Sequence, residues 1–278
     1  MRPSRERGKE SHSKPSSTVR VIPNAFLSAA KLSFLARGSA FPTALALALA
    51  VELPARPAFA CGASAGGAAG ISGCSLEEHE ESARLKWRVG ADYSFTSTGL
   101  HFNSGLHVDE VRNASLVTLD YRPVRRVTLE AGAGAFLGGS ITAGPVRYAM
   151  APGFASVVGG SWRVVDPDGA IPFVLLTTQL SYASSSTSGS VGYNAFDLRG
   201  GVAVGTTFWD VFTPYVVGRA FGGPIYWRYQ TQAIIGTDDH HWQVGAGFSL
   251  RIGHRVDVFA EGVPLGELGI TAGAGVSF

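Results

Sequence analysis

The last eleven residues alternate without a break. Leu268, Ile270, Ala272, Ala274, Val276 and Phe278 carry the apolar side chains, and Gly269, Thr271, Gly273, Gly275 and Ser277 stand between them. A period of two puts these sets on opposite faces of a strand. Trp242, Val244, Ala246, Phe248, Leu250 and Ile252 repeat the pattern against Gln243, Gly245, Gly247, Ser249, Arg251 and Gly253. So do Leu85, Trp87, Val89, Ala91, Tyr93 and Phe95 against Lys86, Arg88, Gly90, Asp92, Ser94 and Thr96.

Two-faced strands of this kind have two homes. In a soluble sandwich or lipocalin the apolar face points inward and the charges sit in water. In a membrane barrel the apolar face meets lipid and the polar face lines the interior. Alternation alone leaves both open. The apolar faces here are about six residues long. Aromatic rings gather near their ends at Tyr93, Phe95, Tyr121, Trp162, Tyr182, Trp242 and Phe278, which suits two interfacial girdles. No run of eighteen apolar residues exists to make a spanning helix, and a closed barrel is the other structure that satisfies its backbone in lipid.

The fold class expected is therefore all-β: an antiparallel up-and-down transmembrane β-barrel of about 10 strands, with eight or twelve also open. The strands fall near 84–97, 109–121, 126–138, 146–165, 170–183, 191–206, 213–227, 240–253, 255–262 and 268–278. Tight turns are expected at Tyr121 to Arg126, Asp166-Pro167-Asp168-Gly169, Trp209 to Pro214 and Gly253-His254-Arg255, where Pro, Gly and Asp favour them. The other connections are longer and polar: 98–108, 139–145, 184–190, 228–239 and 263–267. Of these, 98–108 and 228–239 are the expected partner contacts, because exposed loops carry recognition.

The chain divides into three parts by composition. Residues 1–60 hold nine Lys/Arg against three Asp/Glu, and Ala40 to Val51 form a twelve-residue apolar run. Ala58-Phe59-Ala60 then supplies small residues around a bulky one, so the segment reads as a signal peptide cleaved between Ala60 and Cys61. Residues 61–83 are a flexible tail, and 84–278 are the barrel. Cys61 and Cys74 are the only cysteines. In an exported chain they read as a disulfide, with lipid attachment at Cys61 as the alternative. After residue 60 there are 14 basic and 18 acidic residues, so the basic overall pI belongs to the leader. No basic patch for nucleic acid is present in the remainder.

Together, the signal peptide, the alternating strands and the terminal Phe278 resemble the small outer-membrane β-barrel proteins of Gram-negative bacteria. The resemblance covers 84–278 and is one of architecture. It implies a bacterial outer-membrane location, short periplasmic turns, longer outer loops and outer-membrane lipid as surroundings. It also implies that Phe278 is read by the barrel-assembly machinery during insertion.

The inferred inner face carries Lys86, Arg88, Arg163, Arg199, Arg219 and Arg251 against Asp92, Asp120, Glu130, Asp197, Asp257 and Glu261. Lone buried charges are costly, so a narrow lumen pairs them. This supports a non-enzymatic barrel filled by its own side chains, with a structural or surface-interacting role. A narrow porin for small solutes is the alternative. A third reading is a hydrolase with Asp238, Asp239, His240 and His241 at the outer rim, since His beside carboxylate suits general base work. His101 and His107 join these as the remaining rim histidines, but four His on separate loops have no ligand spacing that argues for a metal. No pattern calls for a cofactor.

Overall fold

The computed structural model describes residues 85–166, 171–188, 190–229, 232–253 and 255–278, apart from the side chains of 190 and 191. The leader, the cleavage point at Ala60 and Cys61, and the Cys61–Cys74 pair lie outside these residues. The described part is built from strands: β1 (Trp87–Phe102), β2 (His107–Val124), β3 (Val127–Ala143), β4 (Val146–Met150), β5 (Gly153–Val165), β6 (Phe173–Thr187), β7 (Ser190–Gly205), β8 (Phe212–Gly222), β9 (Ile225–Tyr229), β10 (Gln232–Asp238), β11 (Trp242–Ile252), β12 (Val256–Leu265) and β13 (Leu268–Ser277).

Ten of them close a ring in the order β1–β2–β3–β5–β6–β7–β8–β11–β12–β13, every pair antiparallel. The seam runs from Arg88↔Ser277 to Ser97↔Leu268 between β1 and β13. Both chain ends of the ring meet there, with Trp87 N donating to Phe278 O at 3.1 Å and Phe278 N to Trp87 O at 2.8 Å.

The three remaining strands continue members of the ring. β4 prolongs β5 across Ala151-Pro152, β9 prolongs β8 across Gly223-Pro224, and β10 prolongs β11 across 239–241. Pro cannot donate to a ladder, so it marks the first two breaks. Thus 146–165 and 213–227 each hold one interrupted strand. The expected long loop 228–239 is instead the β9–β10 turn and β10 itself, and the expected loop 98–108 is mostly strand, closed by a turn at 103–106.

Beyond the ring, at the end away from the termini, a second and smaller closure forms. β1 leaves β13 and pairs β10 from Leu100↔Asp238 to Phe102↔Gly236. β7 leaves β8 and pairs β9, β9 pairs β10, β3 pairs β4, and β4 reaches β6 at Met150↔Thr187. The result is an eight-strand extension, β1–β2–β3–β4–β6–β7–β9–β10. It has two strands fewer because the β12–β13 hairpin turns at 266–267 and does not enter it.

The outer faces of the two parts have opposite polarity, while the ring's interior holds its charges beside a buried apolar cluster of Phe173, Leu175, Ala203, Tyr215 and Val217. Around the ring, Val117 is 59% exposed and Ile270 63%, while Arg88 and Asp120 are 0% exposed. A soluble barrel would show the reverse, and an apolar belt this continuous calls for lipid. Rings frame the belt, with Trp87, Trp162 and Phe278 exposed near the terminal end and Phe154, Phe196 and Trp242 exposed toward the other. In the extension the inner side chains are apolar instead: Leu100, Phe102, Val108, Ile141, Met150, Ile225, Trp227 and Ile234 form one buried cluster with Phe136 and Tyr193. Outside it stand His101, His107, Asp109, Arg147 and Arg228, all exposed. Along β1 the change comes between Phe95 and Leu100: inward Arg88, Asp92, Ser94, Thr96 and Thr98 give way to Leu100 and Phe102.

Candidate functional site

Among the described residues, two features carry chemistry: the charged interior of the ring and the polar outer rim of the extension.

Near the terminal end of the interior, Arg88 joins Asp120 at 3.0 Å and Asp257 through Nη2 at 2.8 Å and Nε at 3.0 Å. Asp92 is buried beside β1's inner face, and Glu130 faces Asp120 across the β2–β3 ladder. Arg251 is buried on β11, opposite Asp257 in register. Further along β12, Glu261 is held by both terminal nitrogens of Arg219, at 2.6 and 2.9 Å, and the Tyr215 hydroxyl donates to the same carboxylate at 3.0 Å. Arg163 reaches Asp166 at 3.7 Å, and Arg126 bonds that carboxylate too.

At the junction with the extension lies a second network. Glu267 accepts from Arg112 at 3.1 Å and forms an ion pair with Arg199 at 2.7 Å. Arg112 also approaches Glu110 at 3.6 Å. Arg199 bonds Asp197, donates to Gln243 at 3.1 Å and stacks over the Phe221 ring at 4.6 Å. Bidentate and shared contacts of this kind are what a buried ion needs to offset its lost water.

Of the interior residues read from the sequence, the structure places Arg88, Asp92, Asp120, Arg163, Asp197, Arg199, Arg219, Arg251, Asp257 and Glu261 inside and buried, and Glu130 half-buried on the same face. Lys86 is the correction: it is exposed, one residue before β1 begins, where strand alternation does not yet hold. The sequence reading missed Glu110, Arg112, Arg122 and Glu267, all buried. The first three share even parity with Asp120 on β2, so the signal was present. Glu267 lies in a turn, where no period exists to reveal it.

At the rim, Asp238 and Asp239 part company. Asp238 points inward, 6% exposed, with the Thr98 hydroxyl donating to it at 3.4 Å. Burial pushes its carboxyl up to about 7. Asp239 stays outside and comes to the His101–His107 pair, its Oδ1 3.7 Å from His107 Nδ1. His241 lies elsewhere, over Gly222, where an added Cβ would sit 3.0 Å from its Nδ1. His240 is exposed. The sequential cluster Asp238 to His241 is thus split into separate surroundings. Phe278, 55% exposed, closes the seam with its backbone.

No family model and no curated protein matches this chain. Solved structures that it resembles include the translocator domain of the autotransporter NalP from Neisseria meningitidis, at 12% identity and TM-score 0.43, covering 73% of this chain and 91% of that one. The outer membrane protease OmpT from Escherichia coli is similar at 11% identity and TM-score 0.42, covering 69% of this chain and 97% of that one. An outer membrane channel from Pseudomonas putida F1 is similar at 12% identity and TM-score 0.39, covering 75% and 100%. The fold is an outer-membrane-type β-barrel. Its closed ring, lipid-facing belt and charged interior stand on the hydrogen bonds and burial described above.

Proposed function

We propose that this protein is a sealed, non-enzymatic barrel of the bacterial outer membrane, with its termini in the periplasm and its eight-strand extension outside the cell. Its role on this reading is structural or surface-interacting, carried by the polar exterior of the extension. One observation supports it above the others: the apolar cluster of the extension sits directly beyond the charged interior, so water meets two different fillings along one path. An interior of eight strands is just wide enough for side chains to fill. Here Trp227, Phe102, Phe136 and Tyr193 are each at most 1% exposed.

A porin needs a continuous polar lining, and the inner face of the extension does not supply one. A hydrolase of the rim type needs a cleft lined by its acid–base groups. His107 and Asp239 do meet, but on the outer surface, with the His107 side chain 66% exposed.

The test is conductance of the folded protein in a planar bilayer. Folding is checked first by the gel shift between unboiled and boiled samples. Silence at voltages that open reference porins supports the sealed barrel. Discrete, reproducible steps from the same preparation refute it and return the interior charges to the role of a selectivity lining.

A further inference from the structure

Three side chains from separate segments converge on the outside of the extension. His101 and His107 stand directly opposite each other in the β1–β2 ladder, and opposite residues on an antiparallel pair project to the same face. Their ring centroids are 4.3 Å apart and their Nδ1 atoms 3.5 Å apart, with His101 Nδ1 also 2.9 Å from His107 Nε2. Asp239 arrives from the link between β10 and β11 with its Oδ1 3.7 Å from His107 Nδ1. One ligand atom from each of the three lies within 4.8 Å of the others.

The position of Asp239 is built into the backbone. Its N–H donates to Gly99 O at 2.9 Å. Its carboxylate lies against Gly99, where an added Cβ would come within 2.6 Å of Oδ2. A side chain at 99 would require the Asp239 carboxylate to shift from this position. A hydrogen bond between the two rings explains their 2.9 Å contact. It does not explain a carboxylate brought to the same point over the one residue type that leaves it room.

We infer that His101, His107 and Asp239 form a binding site for a divalent transition-metal ion of the Zn²⁺ class. Zinc takes imidazole nitrogen at about 2.0–2.1 Å in tetrahedral geometry, which places two nitrogen ligands about 3.3–3.4 Å apart. The Nδ1 pair is close to that separation at 3.5 Å, and the exposed Asp239 carboxylate supplies the third donor atom nearby. Two imidazoles and one carboxylate suit Zn²⁺ better than Ca²⁺ or Mg²⁺, which prefer oxygen. The fourth position opens to solvent and is left to water or to a ligand atom of a partner. Bound metal adds a tie between the β1–β2 turn and the β10–β11 link, beside the short β1–β10 ladder and the Asp239–Gly99 bond.

The experiment uses full-length protein purified from membranes in detergent without a histidine tag. Zn²⁺ affinity is measured by competition with a chromophoric chelator, and coordination by the visible absorption of added Co²⁺. The expected result is one ion per chain and the intense Co²⁺ bands of a low-coordinate site. His101→Ala and His107→Ala each weaken binding at least tenfold. Asp239→Ala and Gly99→Ala weaken it about tenfold and change the Co²⁺ spectrum, while the gel shift on boiling persists in all four. The inference is overturned if wild-type protein binds no more tightly than the His101→Ala/His107→Ala double variant. It is equally overturned if Asp239→Ala keeps wild-type affinity and spectrum, for then the rings are a chance surface pair.

Discussion

A Cβ atom on Gly275 would lie 2.1 Å from the Arg88 guanidinium carbon. The last strand therefore keeps a glycine at the one point where the first strand's arginine crosses its inner face on the way to Asp257. Truncating that arginine leaves Asp120 and Asp257 in the interior without their shared cation, and removing one partner of a buried pair costs about 3–5 kcal/mol. Arg88→Met is expected to lower stability by that amount, read as the urea midpoint in lipid vesicles. Gly275→Ala is expected to lower it in the same direction. The triple variant Arg88→Met/Asp120→Asn/Asp257→Asn is expected to recover part of the loss, because the two carboxylates that lose Arg88 are then neutral.

The outer face of β2 changes its surroundings within four residues. Val117 stands in the lipid belt and Asn113 nearer the extension. Arg on the lipid face of a barrel costs about 2–4 kcal/mol at mid-bilayer and about 0–1 kcal/mol at the interface. Val117→Arg is expected to show the first value and Asn113→Arg the second in vesicle unfolding titrations. Equal costs at the two sites would mean that Val117 and Asn113 face the same medium.

Trp227 fills the extension and donates its Nε1–H to Thr187 Oγ1 at 3.1 Å. Trp227→Ala is expected to cost about 3–5 kcal/mol, and the loss is local. Trypsin should then cut after the exposed Arg147 and Arg228, while the ring keeps its gel shift on boiling. Resistance equal to wild type would show that the cluster does not hold the extension together.

The Asp238 carboxyl gives the extension a pH dependence. Burial raises it to about 7, with Arg112 opposing and Glu267 and Asp197 adding to the rise. The folded chain holds this proton more tightly than the unfolded chain, whose carboxyl sits near about 4. The stabilising contribution is thus complete below about 4 and is lost as pH climbs through about 7. Protection of the β9–β10 amides, taken relative to intrinsic exchange at each pH, is expected to fall over that window. In Asp238→Asn the change over this window is expected to flatten.

Much of the ring was legible because lipid and lumen impose the period of two. Leu268 to Phe278 and Trp242 to Ile252 show it directly, and the ten-strand count follows from such stretches. The extension was not legible for the same reason. Its strands alternate too, but with the faces exchanged, so His101 and Asp109 outside and Leu100 and Val108 inside resemble an irregular polar loop. The spans 146–165 and 213–227 already joined β4 to β5 and β8 to β9 despite Pro152 and Pro224, but gave no sign of where polarity changes. Asp239 gave no sign of meeting His107, because that contact depends on a closure between residues more than a hundred positions apart.

The edge of β1 that faces the seam has two partners, β13 along Arg88 to Ser97 and β10 along Leu100 to Phe102. A slip of two residues against β13 would keep every side chain on its proper face, so patterning alone does not forbid it. The same slip would misalign all three β10 pairs and the Asp239–Gly99 bond. The first strand thus works as a vernier: a coarse scale of ten residues sets the closure, and a fine scale of three rejects the neighbouring graduation.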